Sequence, residues 1–229
     1  MKNKSKVIAI DGPSGSGKST IAKILADSLE FVYLDTGSMY RAIGYYLNTK
    51  SINLSDVSAV EVALAQMNFQ YASSQNVLVE INGDDLTHKI REHHVSGLAS
   101  KVSQLACVRE YLKKVQRTIA LARPSIIEGR DIGTVIFPDA ALKFYLVADA
   151  KIRAQRRYDQ LLEKNSELKI TLESILNDIT LRDESDMNRT IAPLVQAEDA
   201  ISIDSTKISI SDVVAMITKY YLESKELFL

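Results

Sequence analysis

Residues 12–19 read GPSGSGKS, which fits the pattern G-x-x-x-x-G-K-[ST] between an apolar run and a helical one. That spacing does one kind of chemistry: Gly12, Gly15 and Gly17 let the backbone curl, so that successive N–H groups face an anion at the positive end of the following helix. Lys18 has the length to reach the β and γ phosphates, and Ser19 offers a hydroxyl to Mg2+, a cation that keeps most of its water and takes its other ligands from a nucleotide. The motif therefore predicts a nucleoside triphosphate site. It does not choose among kinases, switches, helicases and motors, which share it.

The other residues suited to chemistry are arginines: Arg41, Arg109, Arg130, Arg153, Arg156, Arg157, Arg182 and Arg189. Phosphoryl transfer between two anions needs such a set, because donor and acceptor charges must be neutralised while the groups are held in line. An arginine taken singly is more often a solvated helix face, but the spacing singles out two groups. Arg182, Asp186 and Arg189 recur at i, i+4 and i+7, one helical stripe. Arg156 and Arg157 precede a polar turn at 164–170, where a lid could close over nucleotides. Arg130 and Asp131 stand side by side where the apolar run SII ends, a cation and an anion at the end of a buried strand. The motifs D-x-x-G and N-K-x-D that would mark a GTP-dependent switch are not found.

The elements that must carry these residues follow from periodicity. Residues 6–12 read as a strand ending in Asp-Gly, and Ile21, Leu25 and Leu29 give the next segment one apolar helical face. A strand at 31–35 and a helix over 38–48 repeat the unit, so the chain opens β-α-β-α, the signature of a parallel sheet with helical crossovers. Between 55 and 95 the pattern changes to a helical piece and two short strands, the second alternating Val77, Val79 and Ile81 with polar or outward positions, which predicts a small antiparallel insertion. Two helices broken near 105–108 follow, then buried strands at 125–128 and 142–147, two charged helices, a strand at 200–204 and a last helix. Five apolar strands between helices predict an open α/β sheet with helices on both faces.

Composition sets the outer bounds. The chain has 229 residues, of which 46% are apolar and 25% charged, with a formal net charge of -1. The pI is near 6.3, so no global basic field favours nucleic acid or an anionic membrane, and phosphate binding must be local. No apolar run approaches the roughly 18 residues of a membrane span. Cys107 has no partner for an intrachain disulfide and no leader segment is evident, so a reducing cytoplasm is expected. His93 and His94 are adjacent, which on a helix turns them about 100° apart and suits joint metal ligation poorly.

IDGPSGSGKST, LDTGSMYRA, EGRDIGTVIFPDA, LRDESDMNR with APL, and IDST follow one another in an order and spacing that resembles the bacterial cytidylate kinase family over essentially the whole chain. The resemblance implies a P-loop NTPase fold with a five-stranded parallel sheet, a core of 1–54 and 96–229, a lid at about 153–172, and an enlarged monophosphate-binding insertion at 55–95. It implies transfer of a phosphoryl group from ATP to CMP or dCMP with Mg2+, and the chain is expected to act as a monomer. Gly12, Pro13, Ser14, Gly15, Ser16, Gly17, Lys18, Ser19, Thr20 and Arg157 would bind ATP. Thr36, where many members have Ser, would hold the acceptor phosphate with Arg41, Arg130 and Arg189. Ser100, Arg109 and Asp131 would read cytosine, and Arg182 with Asp186 would meet the ribose. Lys18, Arg130, Arg153, Arg157 and Arg189 would surround the reacting phosphates, Arg156 would share the lid, and the loop 204–207 would lie near adenine.

The implied base contacts are chemically sound. Cytosine sets a 4-amino donor beside N3 and O2 acceptors, so a carboxylate at the amino group and a guanidinium or hydroxyl at the acceptors are complementary. Uracil reverses the polarity at position 4 and would leave buried groups mismatched. The competing readings are a small P-loop kinase for UMP, AMP, dephospho-coenzyme A or another alcohol, and a P-loop ATPase of regulatory or nucleic-acid-binding type.

Overall fold

The computed structural model describes residues 4–72, 78–92, 94–164 and 170–228. The expected turn between the short strands falls largely on 73–77, most of the lid turn on 165–169, and His93 on a single position, all outside the described residues. The chain divides into two compact units, one of 1–34 with 119–229 and one of 35–118. The second is wider than the 55–95 insertion expected from sequence, since it begins at Asp35, the last residue of a core strand, and includes the helices on either side.

In the first unit β1 (Ser5–Asp11), β2 (Val32–Asp35), β6 (Ser125–Gly129), β7 (Ala140–Val147) and β8 (Ile201–Asp204) form one sheet in the order β2-β6-β1-β7-β8. The pairings of β1 with β6 and β7, and of β7 with β8, are parallel. The five expected strands are thus present, and the fold is the P-loop NTPase architecture. Central β1 buries Val7, Ile8, Ala9 and Ile10 completely, as a strand covered on both faces must. Helix α1 (Lys18–Leu29) lays Ile21, Ala22, Leu25 and Ala26 into the same core, which α8 (Ile210–Glu223) closes with Val213, Ile217 and Tyr221. A capping box formed by Ser209 and Asp212 fixes where α8 starts. Helices α6 (Ala150–Lys164) and α7 (Leu172–Asn188) pack through a small core of their own, Ala154, Ile175 and Ile179.

The second unit contains α2 (Thr36–Thr49), α3 (Val57–Ala65), α4 (Val95–Val102) and most of α5 (Ala106–Ala122), with β3 (Phe69–Tyr71), β4 (Val79–Ile81) and β5 (Asp84–Asp85) as a small antiparallel sheet. β5 was not expected: it is two exposed acidic residues, held to β4 by the Asn82-Gly83 turn, in which both residues have positive φ. The helix break falls at 103–105, at the early edge of the expected interval.

The sheet places the chemistry. Asp11 and Gly129 end neighbouring strands in register, so the glycine loop and Arg130 both leave from the carboxyl edge, where open α/β sheets bind ligands. Gly12 makes that departure possible: its φ is 144°, and a Cβ there would overlap the Leu146 carbonyl oxygen on β7. Replacing it with alanine is expected to cost about 3 kcal/mol through strain and overpacking. That lowers the melting temperature by about 6 to 12 °C. A thermal melt of Gly12→Ala checks this, and an unchanged midpoint would refute the close-approach argument.

Candidate active site

The loop from Gly12 to Lys18 has its expected positive-φ glycines, with Gly15 at 77° and Gly17 at 93°. Lys18 is buried and folds back across the loop, its Nζ donating to the Pro13 carbonyl at 2.6 Å and reaching Ser16 Oγ at 3.3 Å. Ser19 and Thr20 are exposed at the helix start, Ser14 is half-buried and Ser16 fully buried. The loop is braced from β8: the Ser205 hydroxyl lies 3.0 Å from the Ser16 carbonyl oxygen and 3.1 Å from that of Val147. Arg156 donates to the Ser205 carbonyl at 2.6 Å, which ties the 204–207 loop to α6. Arg157 is half-buried on the same helix.

Arg153 is buried, and its guanidinium bonds the Ser14 carbonyl at 2.9 Å, the Ala148 carbonyl at 2.9 Å and Asp183 at 2.7 Å. These contacts brace the phosphate loop against α6 and α7. The sequence hid this because its partner Asp183 is thirty positions away on α7.

At the carboxyl end of β6 the expected stripe meets the Arg130-Asp131 pair. Arg130 Nε donates to Asp186 Oδ2 at 2.9 Å, Arg182 Nε lies 4.0 Å from the same oxygen, and Arg189 Nη1 lies 3.8 Å from Oδ1. Arg189 also reaches Asp131 at 3.5 Å and donates to the Ala192 carbonyl at 2.6 Å. Burial alone would raise the Asp186 pKa, but Arg130, Arg182 and Arg189 outweigh it and hold the carboxyl below the usual range. Three guanidiniums against two carboxylates leave a local surplus of positive charge, the condition for receiving a phosphate dianion.

In the second unit Thr36 is buried as the first residue of α2, whose N-cap Asp35 accepts from Ser38 N at 2.9 Å. The Asp35 N–H donates to the Tyr71 hydroxyl at 2.8 Å, so the small sheet fixes the helix entry. Arg41 lies 3.3 Å from Asp35. Arg109 is buried, its Nη1 donates to the Ser103 carbonyl at 3.1 Å and its guanidinium lies 5.7 Å from the Tyr40 ring centroid. Half-buried Ser100 is one turn before Ser103 on α4, so this turn joins both expected base-reading residues.

Sequence reasoning passed over two buried carboxylates. Asp11 ends β1, and Glu128, near the end of β6, accepts from the Tyr33 hydroxyl at 2.8 Å. Their signal was present: an acid inside or ending an apolar strand is rarely buried without purpose. Both act on Lys18. Burial pushes the Lys18 pKa down to about 7, Arg130 and Arg182 push the same way, and Glu128 and Asp11 oppose them. The oxygen donors around the loop, hydroxyl and carboxylate, suit a hard cation.

A phosphate loop leaving the central strand of this sheet, faced by an arginine cluster on α7, defines a P-loop phosphotransferase. Residues 8–223 match the family model described as cytidylate kinase. A cytidylate kinase of Thermosipho africanus is 46% identical over 96% of this chain and 96% of its own, and one of Fusobacterium nucleatum is 43% identical over 93% and 95%. The chain belongs to the cytidylate kinase family. It is a kinase, a transferase that moves a phosphoryl group from ATP to CMP or dCMP, and kinases of this family use a divalent metal. Among the described residues no helix is long and apolar enough to cross a membrane.

Because Lys18 has a folded value far below its ordinary one, it is largely neutral at pH 8 in the empty loop, and polyphosphate will recharge it. ATP binding is therefore expected to take up about one proton at pH 8 and almost none at pH 6, with affinity falling as pH rises above about 7. Calorimetry in buffers of different ionisation enthalpy reads this directly, and Lys18→Arg should abolish the uptake. No uptake by the unaltered protein at pH 8 would contradict the depressed lysine.

Proposed function

We propose that the chain transfers the γ-phosphoryl group of ATP to CMP or dCMP, with the acceptor's phosphate held by Thr36, Arg41, Arg130 and Arg189. Ser100, Arg109 and Asp131 read cytosine, and Arg182 with Asp186 meets the ribose. One observation carries this reading: Arg130, Arg182 and Arg189 are already gathered around the buried Asp186 carboxylate, with positive charge in excess. Such a group neutralises an acceptor without reorganising when it arrives.

ATP occupies the 12–20 loop, its phosphates on the backbone N–H groups and Lys18, with Arg157 and Arg156 approaching from α6 and adenine near 204–207. Arg153 holds the loop's shape from behind. Mg2+ at the Ser19 hydroxyl, with its other positions on nucleotide oxygens and water, would neutralise charge on the transferring group. No side chain needs to remove a proton, because the acceptor oxygen is already anionic at neutral pH. Positioning and neutralisation supply the rate. A single chain supplies every residue named, so the reading takes the protein as a monomer, and its lone cysteine suits a reducing cytoplasm.

ADP release measured with CMP, dCMP, UMP and AMP in turn should be fastest with the two cytidylates and should stop when EDTA removes divalent metal. Asp131→Ala removes a charge-assisted contact of about 1.5–3 kcal/mol. It should lower kcat/KM for CMP by about ten- to a hundredfold while leaving the KM for ATP within about twofold. A preference for UMP or AMP, or equal losses for both substrates in the variant, would overturn the base-reading assignment.

A further inference from the structure

Asp131 sits at the start of a π-helical turn, Ile132–Ile136, in the position and with the side chain of a capping residue, yet it makes no capping hydrogen bond. The first N–H groups of any helical turn lack internal partners, and an aspartate at that position ordinarily takes the second or third of them, here Gly133 or Thr134. In this turn another carboxylate holds the Gly133 amide. Asp11 Oδ1 accepts from Ile132 N at 2.9 Å and Oδ2 accepts from Gly133 N at 2.7 Å. The turn closes on the other side through the Asp131 carbonyl, which accepts from Val135 N at 2.9 Å and Ile136 N at 3.2 Å.

We infer that Asp11 is a positioning residue for acceptor recognition: by fixing the start of the turn and taking its Gly133 amide it disfavours capping by the Asp131 carboxylate, so that Asp131 projects toward the acceptor's base. This rests on the reading that Asp131 recognises cytosine. The arrangement is costly, as a device kept for function can be. Burial raises the Asp11 pKa to about 6, the two amides from Gly133 and Ile132 oppose that rise, Asp131 adds to it and Lys18 opposes it. Asp11 also ends the strand that launches the phosphate loop, so one carboxylate sets the spacing between the ATP loop and the base reader.

The test is the ratio of kcat/KM for CMP to that for UMP at fixed ATP, in the unaltered protein, Asp11→Asn, Asp131→Ala and the double variant. Asparagine presents an NH2 where one amide needs an acceptor, so the carboxylate's two-point hold on the start of the turn is lost. Asp11→Asn should lower the ratio about tenfold and raise the KM for CMP more than that for ATP. The double variant should be no less selective than Asp131→Ala alone, since both act through one contact. An unchanged ratio in folded Asp11→Asn, or losses that multiply, would overturn the inference. An unchanged ratio in Asp131→Ala would instead sink the base-reading assignment on which it rests.

Gly133→Ala keeps the test decisive if Asp11→Asn does not fold. Its Cβ would come 3.1 Å from Lys143 Cδ, on a side chain held by Pro138 and Asp199, and into ordinary contact with Asp11 Oδ2 at 3.4 Å, shifting the turn by a few tenths of an ångström while leaving every charge in place. A smaller fall in selectivity in the same direction is expected, and a ratio equal to that of the unaltered protein would count against Asp11.

Discussion

Like charges do not gather unaided, and the three arginines at the carboxyl end of β6 stay together because Asp186 lies among them. Its carboxylate is buried, which would be unfavourable alone and is favourable only with positive charge in excess. The excess is what a monophosphate requires. Arg130 comes from the end of a buried strand while Arg182 and Asp186 come from one face of α7 and Arg189 from the residue that ends it, so the cluster depends on sheet and helix holding a fixed distance.

The same helix steadies the donor's side. Asp183, next to Arg182 in sequence, grips Arg153, which in turn holds the Ser14 carbonyl of the phosphate loop. α7 therefore faces the acceptor cluster with one stripe and braces the ATP loop with an adjacent residue. The Ser205 contact does similar work from β8. These links make the loop's curvature a property of the packed unit rather than of its glycines alone.

Much of this was legible in the sequence. The five core strands were, because a strand buried on both faces writes an unbroken apolar run, as in Val7–Ile10. The pairing of Arg182 with Asp186 was, because helical spacing puts both on one face, while Arg189 reaches the same carboxylate from just past the helix end, in extended conformation. Strand order was not, since β6 inserts between β1 and β2, pairing with β1 across 118 residues of chain, Val7 opposite Ser125. β5 was not, because two exposed acids carry no strand pattern. The bracing contacts of Arg153 and the place of Asp11 were not, for one reason: each has its partner distant in the chain, Asp183 for one and the amides of Ile132 and Gly133 for the other.

The central claim is that the acceptor cluster is assembled before the acceptor arrives. A crystal structure with CMP bound tests it most directly. The account predicts that Arg130 and Arg189 contact the CMP phosphate while remaining beside Asp186, with the Asp131 carboxylate at the cytosine amino group. Arginines that leave Asp186 to reach the phosphate, or a phosphate bound away from them, would contradict it.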